Sequence, residues 1–291
     1  MIQTLTPSHW KEYELIDTGD GEKMERFGTY ILRRPEPQAL WSKSLSEKDW
    51  EKMPHVHFVQ EGSHGGKWNK LKTMPEQWEI SYSYQKMQLH FKLALTAFKH
   101  VGIFPEQAAN WDYIYEACTA LQKPKVLNLF AYTGGASMAA RAGGAEVIHC
   151  DSIKQVVNWA NGNMNLSRLD GIKWLIEDAF TFVKREAKRG NLYQGIILDP
   201  PAFGHGPKGE KWKLEDMINE LTENVARILA KENSFLVFNS YSLGFSPLVL
   251  ENLVSSHFSQ KQRKNCQIGE LYFPEKSGRK LPLGTFARFR V

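Results

Sequence analysis

The chain has 291 residues, of which 42% are hydrophobic and 24% are charged, and its formal net charge at pH 7 is +5. These proportions are ordinary for a globular protein large enough for one big domain or two modest ones. No apolar run approaches the roughly 18 residues of a membrane helix, and the first residues do not resemble a secretory signal. The three cysteines are too scattered for a disulfide framework. We therefore expect a cytoplasmic protein that is not associated with membranes.

Residues 1–85 are expected to form a small β-rich domain that recognises the substrate. The segment 13–37 reads as strands and turns, and the whole region is dense in tryptophan. Two interpretations of these aromatic residues stand. They form the core of the small domain, or Trp41, Trp68 and Trp78 provide a surface on which RNA bases stack.

Histidines in this domain raise the question of a metal site. His55 and His57 share one strand face, and His64 lies nearby in the sequence. Since no acidic or thiol partner accompanies them, we predict that the protein holds no metal.

Residues 86–124 are expected to form a helical connector. The apolar residues from Met87 to His100 fit a helical period, and the segment GIFPEQAANWDYIYEAC follows them. We place the boundary with the first domain within residues 84–100.

From residue 125 to residue 291, strand-like runs alternate with helix-period segments. This alternation predicts βαβ crossovers and a mostly parallel sheet with helices on both faces. Apolar stripes predict helices between residues 153 and 164, from 214 to 229, and near 246–257. The predicted strands are KVLNLF (125–130), EVIHCD (146–151), IKWLIED (172–178), QGIILD (194–199) and SFLVFNSY (234–241).

The C-terminal segment is predicted to add an antiparallel hairpin to one edge of this sheet. Residues 256–291 carry eight basic and two acidic residues. This excess of positive charge indicates either a surface that binds a phosphate-bearing partner or a surface that is merely solvated. We favour buried aromatic residues with exposed basic ones. The aromatic set is Tyr272, Phe273, Phe286 and Phe289, and the basic set is Lys276, Arg279, Lys280, Arg288 and Arg290.

Ligands of such sheets bind beyond the carboxyl ends of the strands, so the residues at those ends are the candidate site. After the first strand, Gly134 and Gly135 allow close approach of backbone to a ligand, and the next helix offers free N–H groups; the alternative is a turn that needs glycine for its geometry alone. Asp151 and Asp178 follow the second and third strands. A single acid there is more often a helix N-cap, but acids at successive strand ends indicate binding of a ribose and an amino group.

The fourth strand ends in the most informative segment, GIILDPPAFGH (195–205). Neither Pro200 nor Pro201 has an N–H to donate, and each proline holds the residue before it extended. Asp199, Pro200 and Pro201 are therefore expected to form a stiff segment rich in hydrogen-bond acceptors, which we call the ledge. Phe203 lies beside it as a stacking surface. Such a ledge suits a flat substrate that carries an amino group.

In this order and spacing, the motifs VLNLFAYTGGAS, CDSIKQVVNWANGNMNL, EDAF and ILDPPAF resemble those of the class I S-adenosylmethionine-dependent methyltransferases. More narrowly, the chain is similar to the branch of large-subunit ribosomal RNA methyltransferases that make 5-methylcytosine and 7-methylguanine. The resemblance covers roughly residues 100–291. It implies a Rossmann-like catalytic domain that uses S-adenosyl-L-methionine and releases S-adenosyl-L-homocysteine.

The resemblance also implies that the connector, residues 86–124, closes over the cofactor, and it implies roles for individual residues. Asp151 would hold the ribose of the cofactor, and Asp178 with Phe180 would hold the adenine. The full cofactor set would be Phe104, Gln107, Asn110, Asn128, Phe130, Tyr132, Thr133, Gly134, Gly135, Asp151, Ser152, Asp178, Ala179 and Phe180. The catalytic set would be Asp199, Pro200, Pro201 and Phe203.

One departure from the family pattern indicates which kind of atom accepts the methyl group. Methylation of a cytosine carbon needs a cysteine thiolate to activate the ring, and in that branch the cysteine lies just after the fifth strand. Here the segment is FNSYSLG, with Tyr241 in the expected place. We therefore expect a nitrogen acceptor, which brings its own lone pair, positioned by Asp199 for in-line transfer.

RNA, ribosomal RNA in particular, is the expected substrate and partner. Two alternatives remain: a methyltransferase that acts on a protein or small molecule, and a non-catalytic RNA-binding protein that retains the fold. The intact acids at the strand ends argue against the second alternative. A nicotinamide oxidoreductase is disfavoured because the glycine turn is not GxGxxG.

Overall fold

The computed structural model describes residues 1–62, 65–241 and 244–291. Its α-helices are α1 (Glu47–Lys52), α2 (Ala108–Leu121), α3 (Gly135–Ala142), α4 (Lys154–Leu166), α5 (Ala179–Arg189), α6 (Leu214–Ile228) and α7 (Pro247–His257). Its strands are β1 (Gln3–Leu5), β2 (Tyr13–Gly19), β3 (Glu22–Phe27), β4 (Tyr30–Pro35), β5 (Val56–Glu61), β6 (Gly65–Lys70), β7 (Gln77–Tyr84), β8 (Met87–Ala94), β9 (Lys125–Leu129), β10 (Glu146–Asp151), β11 (Ile172–Ile176), β12 (Gly195–Leu198), β13 (Phe203–His205), β14 (Lys211–Lys213), β15 (Phe235–Ser240), β16 (Gln267–Pro274) and β17 (Lys280–Arg290).

The residues form two compact units. The sheet unit comprises Met1–Leu5, Gln107–Leu271 and Leu283–Val291, and the N-terminal unit comprises Thr6–Glu106 and Tyr272–Pro282. The domain boundaries expected at residues 85 and 124 remain a prediction.

The sheet unit contains eight described strands in the order β1-β16-β17-β15-β12-β9-β10-β11. The pairs among β9, β10, β11, β12 and β15 are parallel, whereas β17 lies antiparallel to β15. This confirms the expected mostly parallel sheet. One detail differs: β1 pairs with β16, so β16 does not form the edge of the sheet.

Burial on both faces explains why the central strands are almost wholly apolar. Every residue of β12 and of β15 is buried, as expected for strands between two layers of helices. On one side, α6 covers the sheet through a buried stripe that includes Leu214, Ile218 and Leu221. The sequence predicted this helix because these residues recur at helical spacing.

The N-terminal unit is built from a five-stranded sheet in the order β2-β3-β4-β5-β6 and a separate hairpin, β7–β8. The core interpretation of its tryptophans is confirmed for Trp50 and Trp78, which are buried. Trp41 and Trp68 are partly buried, and their indole N–H groups donate to the Thr18 hydroxyl and the Thr96 carbonyl.

The prediction of a helix from Met87 to His100 is wrong for the first eight of these residues, which form β8 and pair with β7. Buried side chains alternate with more exposed ones along MQLHFKLA, beginning with buried Met87 and Leu89. Alternation with a period of two is the pattern of a strand with one face on a core. The tertiary partner β7 therefore decides the structure of this segment.

The basic C-terminal residues also differ from expectation. Phe273, Phe286 and Phe289 are buried as predicted, but Arg288 is buried as well, with 8% of its surface exposed. Its guanidinium lies 4.4 Å from the ring centroid of Tyr113 and donates to the Ala109 carbonyl. The expected exposure of the basic set is therefore wrong for Arg288, which stabilises the packing of α2 against the sheet.

Across the described residues, no helix is both long and apolar enough to span a membrane. In the same part of the chain, no group of three or more potential metal ligands comes together. His57 Nε2 lies 3.3 Å from a carboxylate oxygen of Glu22, and His55 Nδ1 accepts from the Ile31 N–H. His64 lies outside the described residues.

Asp17 stabilises the N-terminal unit as a buried acceptor. Its carboxylate accepts the N–H groups of Ser44 and Leu45 and the indole N–H of Trp50, and Arg279 lies 3.3 Å away. Burial alone would raise the pKa of Asp17, but these hydrogen bonds outweigh it and hold the pKa below its usual value.

We predict that Asp17→Asn lowers the free energy of unfolding by about 2 kcal/mol. The amide nitrogen of asparagine cannot accept hydrogen bonds, so some of the buried N–H groups that now donate to Asp17 would lose their acceptor. Glu79→Gln, at an exposed position of β7, serves as the control and should have little effect. Since the folded pKa is depressed, the Asp17 contribution is complete above the unfolded pKa and is lost as the pH falls through the folded value. Urea unfolding followed by tryptophan fluorescence measures both effects; equal stability of the two variants would contradict them.

Candidate active site

The carboxyl ends of four parallel strands meet at one edge of the sheet. Leu129 of β9 pairs in register with Cys150 of β10 on one side and with Leu198 of β12 on the other. Strand β9 is thus the point at which the chain reverses its direction of winding, and ligands of open α/β sheets bind outside such a switch point. The structure brings the segments after β9, β10, β11 and β12 to this edge.

The turn between β9 and α3 has an unusual backbone. Phe130 and Tyr132 have φ angles of 54° and 50°, and Gly134 has a φ of 90°. Left-handed conformations are rare for residues with a side chain, so neighbouring groups must hold this turn in place. The carboxylate of Asp151 is such a group, because its Oδ2 accepts the Tyr132 N–H at 2.9 Å.

Asp151 is therefore a structural acceptor as well as a candidate ligand. Its other oxygen, Oδ1, accepts the N–H of Ile153 at 3.0 Å. Burial raises the pKa of Asp151, while these backbone donors act in the opposite direction. The Ser152 N–H is a third backbone donor to this carboxylate, so three of its four acceptor positions are filled and one remains for a ligand.

Packing by itself explains both glycines of the turn. Gly134 occupies the left-handed region that favours glycine. A Cβ on Gly135 would come within 2.6 Å of the Trp111 ring, so glycine there lets α3 pack closely on α2. The same turn leaves the first N–H groups of α3 without partners inside the helix, as at every helix N-terminus.

Asp178 begins α5 as its N-cap. Its Oδ1 accepts the N–H of Thr181 at 2.8 Å, which is the capping role that the sequence left open as an alternative. Ala179 is buried in the core behind the site. Phe180 lies 6.3 Å from the ring of Trp212, whose ring is also 5.1 Å from Phe130, so three aromatic rings form a wall beside the site.

Asn128 and Asn110 of the expected cofactor set are engaged inside the fold. The amide of Asn128 donates to the hydroxyl of Ser137, and the amide of Asn110 donates to Asn239 Oδ1 at 2.9 Å and to Gln107 Oε1 at 3.1 Å.

Thr133 is buried, and its carbonyl accepts the amide of Asn163. Ser152 lies beside Asp151 and is partly exposed, and Phe104 belongs to the N-terminal unit. The cofactor contacts of these residues and of the asparagines stay predictions. Ser137, Asn163 and Asn239 were not predicted from the sequence, although a polar residue inside an apolar strand, as in FLVFNS, was a usable signal.

Asp199 differs from Asp151 and Asp178, whose carboxylates accept backbone N–H groups. It is partly buried, and within the described part of the chain no group donates a hydrogen bond to its carboxyl. Burial raises the pKa of Asp199 to about 7. A carboxyl of this kind is available to a hydrogen-bond donor brought by a ligand, and near neutral pH it can accept a proton.

Hydrogen bonds inside the chain decide which carbonyl of the ledge remains available. The carbonyl of Pro201 accepts the Trp212 indole N–H at 2.6 Å, and that of Ala202 accepts the N–H of Leu214. The carbonyl of Pro200 accepts nothing from the described residues and stands next to Asp199. Phe203 follows at the start of β13 with 67% of its surface exposed.

No reactive thiol stands near this site. Burial raises the pKa of Cys118 to about 12 and that of Cys266 to about 11, and it raises the pKa of Cys150 as well. The three thiols are therefore protonated at neutral pH and poor nucleophiles. Tyr241, at the position expected for the family's cysteine, is 40% exposed, and the next two residues of that segment lie outside the described residues.

The chain is similar to known proteins over much of its length. Residues 63–243 match the protein-family model described as S-adenosylmethionine-dependent methyltransferase. The crystal structure of the S-adenosylmethionine-dependent methyltransferase from Agrobacterium tumefaciens is similar over 99% of this chain and 93% of that chain, with a TM-score of 0.89 and 35% identity.

Curated relatives are similar over a smaller part of their own length. Ribosomal RNA large subunit methyltransferase K/L from Shewanella frigidimarina is 30% identical over 154 residues, which are 52% of this chain and 21% of that protein. The protein of the same name from Alteromonas mediterranea is 30% identical over 226 residues, 76% of this chain and 29% of that protein. The chain thus spans less than a third of the length of these relatives.

We predict that the native protein reacts slowly with Ellman's reagent at pH 8, because none of its thiols is ionised there. Cys266, which is partly exposed, should react first, and Cys118 and Cys150 only after urea unfolds the chain. Absorbance of the released thiolate gives the count and the rates. A thiol that reacts within seconds in the native protein would restore a cysteine nucleophile to the mechanism.

Proposed function

Because the chain belongs to the S-adenosylmethionine-dependent methyltransferase family, we propose that it methylates a nitrogen of an RNA base, with ribosomal RNA as the favoured substrate. The observation that carries this proposal is the unpartnered carboxyl of Asp199 beside the Pro200 carbonyl. The names of the curated relatives support an RNA substrate. A ribosomal RNA substrate would also agree with a cytoplasmic location.

The residues at the sheet edge fit the cofactor by their chemistry. The acceptor position that remains on the Asp151 carboxylate suits a hydroxyl group of a ribose. Asp178, with the ring of Phe180 beside it, suits an adenine that brings an amino group. The backbone of Gly134 and Gly135 at the start of α3 suits the methionine portion. When bound, S-adenosylmethionine supplies a methyl group on a positively charged sulfur.

The ledge after β12 suits a nitrogen acceptor. Asp199 and the Pro200 carbonyl accept hydrogen bonds from its N–H groups and so direct the nitrogen lone pair toward the methyl group. The cofactor would give up its methyl group and leave as S-adenosylhomocysteine. A nitrogen that takes up a methyl group gains positive charge and must lose a proton, which the Asp199 carboxylate can accept. Orientation and exclusion of water provide most of the rate enhancement.

The surroundings of the ledge favour a base over a smaller acceptor. The exposed ring of Phe203 provides a surface on which a flat heterocycle can stack. A base in structured RNA must first leave its stack to reach Asp199, as with other enzymes that act on bases.

The proposal is tested by mass spectrometry of modified nucleosides in total RNA from cells with and without the gene. We expect one N-methylated nucleoside to disappear with the gene and to return when purified protein and S-adenosylmethionine are added to that RNA. Methyl label that enters protein or a metabolite, with RNA unlabelled, would contradict the proposal.

We predict that Asp151→Ala weakens binding of S-adenosylhomocysteine at least about 100-fold, because it removes both the ribose acceptor and the support of the Tyr132 turn. Asp170→Ala serves as the matched control, since Asp170 is an exposed acid of the same unit. Isothermal titration calorimetry measures both affinities. Wild-type affinity in Asp151→Ala would remove this residue from the cofactor site.

We predict that Asp199→Ala lowers methyl transfer about 100-fold and leaves the affinity for S-adenosylhomocysteine nearly unchanged. Asp199→Asn keeps an acceptor oxygen and so retains more activity. In the wild type, transfer of tritiated methyl to RNA should rise with pH around 7, as Asp199 ionises, and this rise should be absent in Asp199→Asn.

The sign of the linked stability effect is opposite to that of Asp17. Because the folded pKa of Asp199 is raised, the free-energy cost of burying its carboxyl grows as the pH rises above the unfolded pKa, and it is complete once the pH passes about 7. Asp199→Asn should therefore gain stability relative to the wild type as the pH rises from 5 to about 7, and gain no more above that. An unchanged difference in melting temperature across this range would argue against the raised pKa.

A further inference from the structure

The hairpin β13–β14, directly after the ledge, has two faces of opposite character. In its register, Phe203 lies opposite Lys213, and His205 lies opposite Lys211. These four side chains are exposed, whereas Trp212 between the two lysines is buried. We call the exposed set, together with Lys208 at the turn, the outer hairpin face; its residues are Phe203, His205, Lys208, Lys211 and Lys213.

This hairpin is attached firmly to the ledge. The Trp212 indole donates to the Pro201 carbonyl, and Leu214 at the start of α6 donates to the Ala202 carbonyl. The Trp212 ring also contacts Phe130 at a centroid distance of 5.1 Å. The position of the outer hairpin face is therefore coupled to Pro201, two residues from Asp199.

The charge of this face is positive. The acid within the hairpin, Glu210, is partly buried, and its carboxylate accepts the Lys208 N–H and so supports the turn. Lys213 lies 3.2 Å from Asp216, but both side chains are largely exposed, and such a pair contributes little. Along β14 the lysines lie about 7 Å apart on the same side, which lets each contact a different phosphate.

We propose that the outer hairpin face binds single-stranded RNA adjacent to the target base. The proposal rests on the RNA substrate of the proposed function. Exposed aromatic rings interleaved with cations are the pattern that binds single strands, since bases stack on the rings and phosphates pair with the lysines. An acidic protein segment could pair with the same lysines, but its carboxylates would gain little from the exposed ring of Phe203 next to them.

Fluorescence anisotropy with a labelled single-stranded RNA of about 12 nucleotides tests this surface without any methyl transfer. We expect Lys211→Gln with Lys213→Gln to weaken binding about tenfold at moderate salt. The slope of log affinity against log salt should become shallower by about 1.4, because about 0.7 is lost for each phosphate contact on a single strand. His205→Ala should weaken binding without changing that slope.

The matched control is Lys173→Gln with Lys188→Gln, two exposed lysines of the same unit outside the hairpin. It removes the same charge and should leave both affinity and slope close to wild type. Each variant's melting temperature and affinity for S-adenosylhomocysteine verify that it is folded.

The outcomes separate this inference from the proposed function. If the hairpin variant binds the oligonucleotide as the wild type does, the outer hairpin face is not the RNA surface, whether or not RNA is methylated. If it loses affinity as predicted while nucleoside analysis finds no methylated base, the surface stands and the proposed reaction fails. Equal displacement of the RNA by polyglutamate of the same charge would overturn the inference in favour of an acidic protein partner.

Discussion

The hydrogen bond from the Tyr132 N–H to the Asp151 carboxylate is the constraint on which the rest of the site depends. It joins the turn after β9 to the end of β10. That turn holds Phe130 and Tyr132 at positive φ, which costs about 1 to 3 kcal/mol for each residue and persists only where neighbouring groups enforce it. With the turn held, α3 begins at the sheet edge, and its first N–H groups have no partners inside the helix. The acid expected to bind a ribose thus also maintains the shape of the surface around it.

Two acids at the same edge have opposite environments, and their chemistry differs accordingly. Asp151 has backbone donors on both oxygens, so it is suited to holding hydroxyl groups in fixed positions. Asp199 is desolvated without a donor, so its pKa is near 7 and its proton can be exchanged with a ligand. A desolvated carboxyl without a partner destabilises the fold. The fold tolerates this cost where the site needs an acceptor.

The parallel sheet and the shared edge of the acids could be predicted from the sequence, because strand–helix alternation and strand-end residues are local patterns. The prediction was wrong at Met87–Ala94, where a period of two was taken for a helical one, and the hairpin β13–β14 was not predicted. The hairpin's strands have only three residues each, and glycine and proline lie between them, so neither strand has a measurable period. The prediction that Arg288 is exposed was also wrong. An arginine that alternates with aromatic residues gives the same sequence pattern whether its guanidinium contacts water or a buried tyrosine ring.

The sequence by itself determined that the carboxylates at Asp151, Asp178 and Asp199 would share one edge, because parallel strands direct their carboxyl ends to the same side. It also determined that the ledge would be poor in donors, because prolines have no N–H. Only the tertiary structure decided which of these groups are already engaged. The Trp212 indole occupies the Pro201 carbonyl and leaves that of Pro200 available, and Asn239 binds Asn110 from 129 positions away. Such assignments depend on hydrogen bonds between residues distant along the chain, which exist only after the chain has folded.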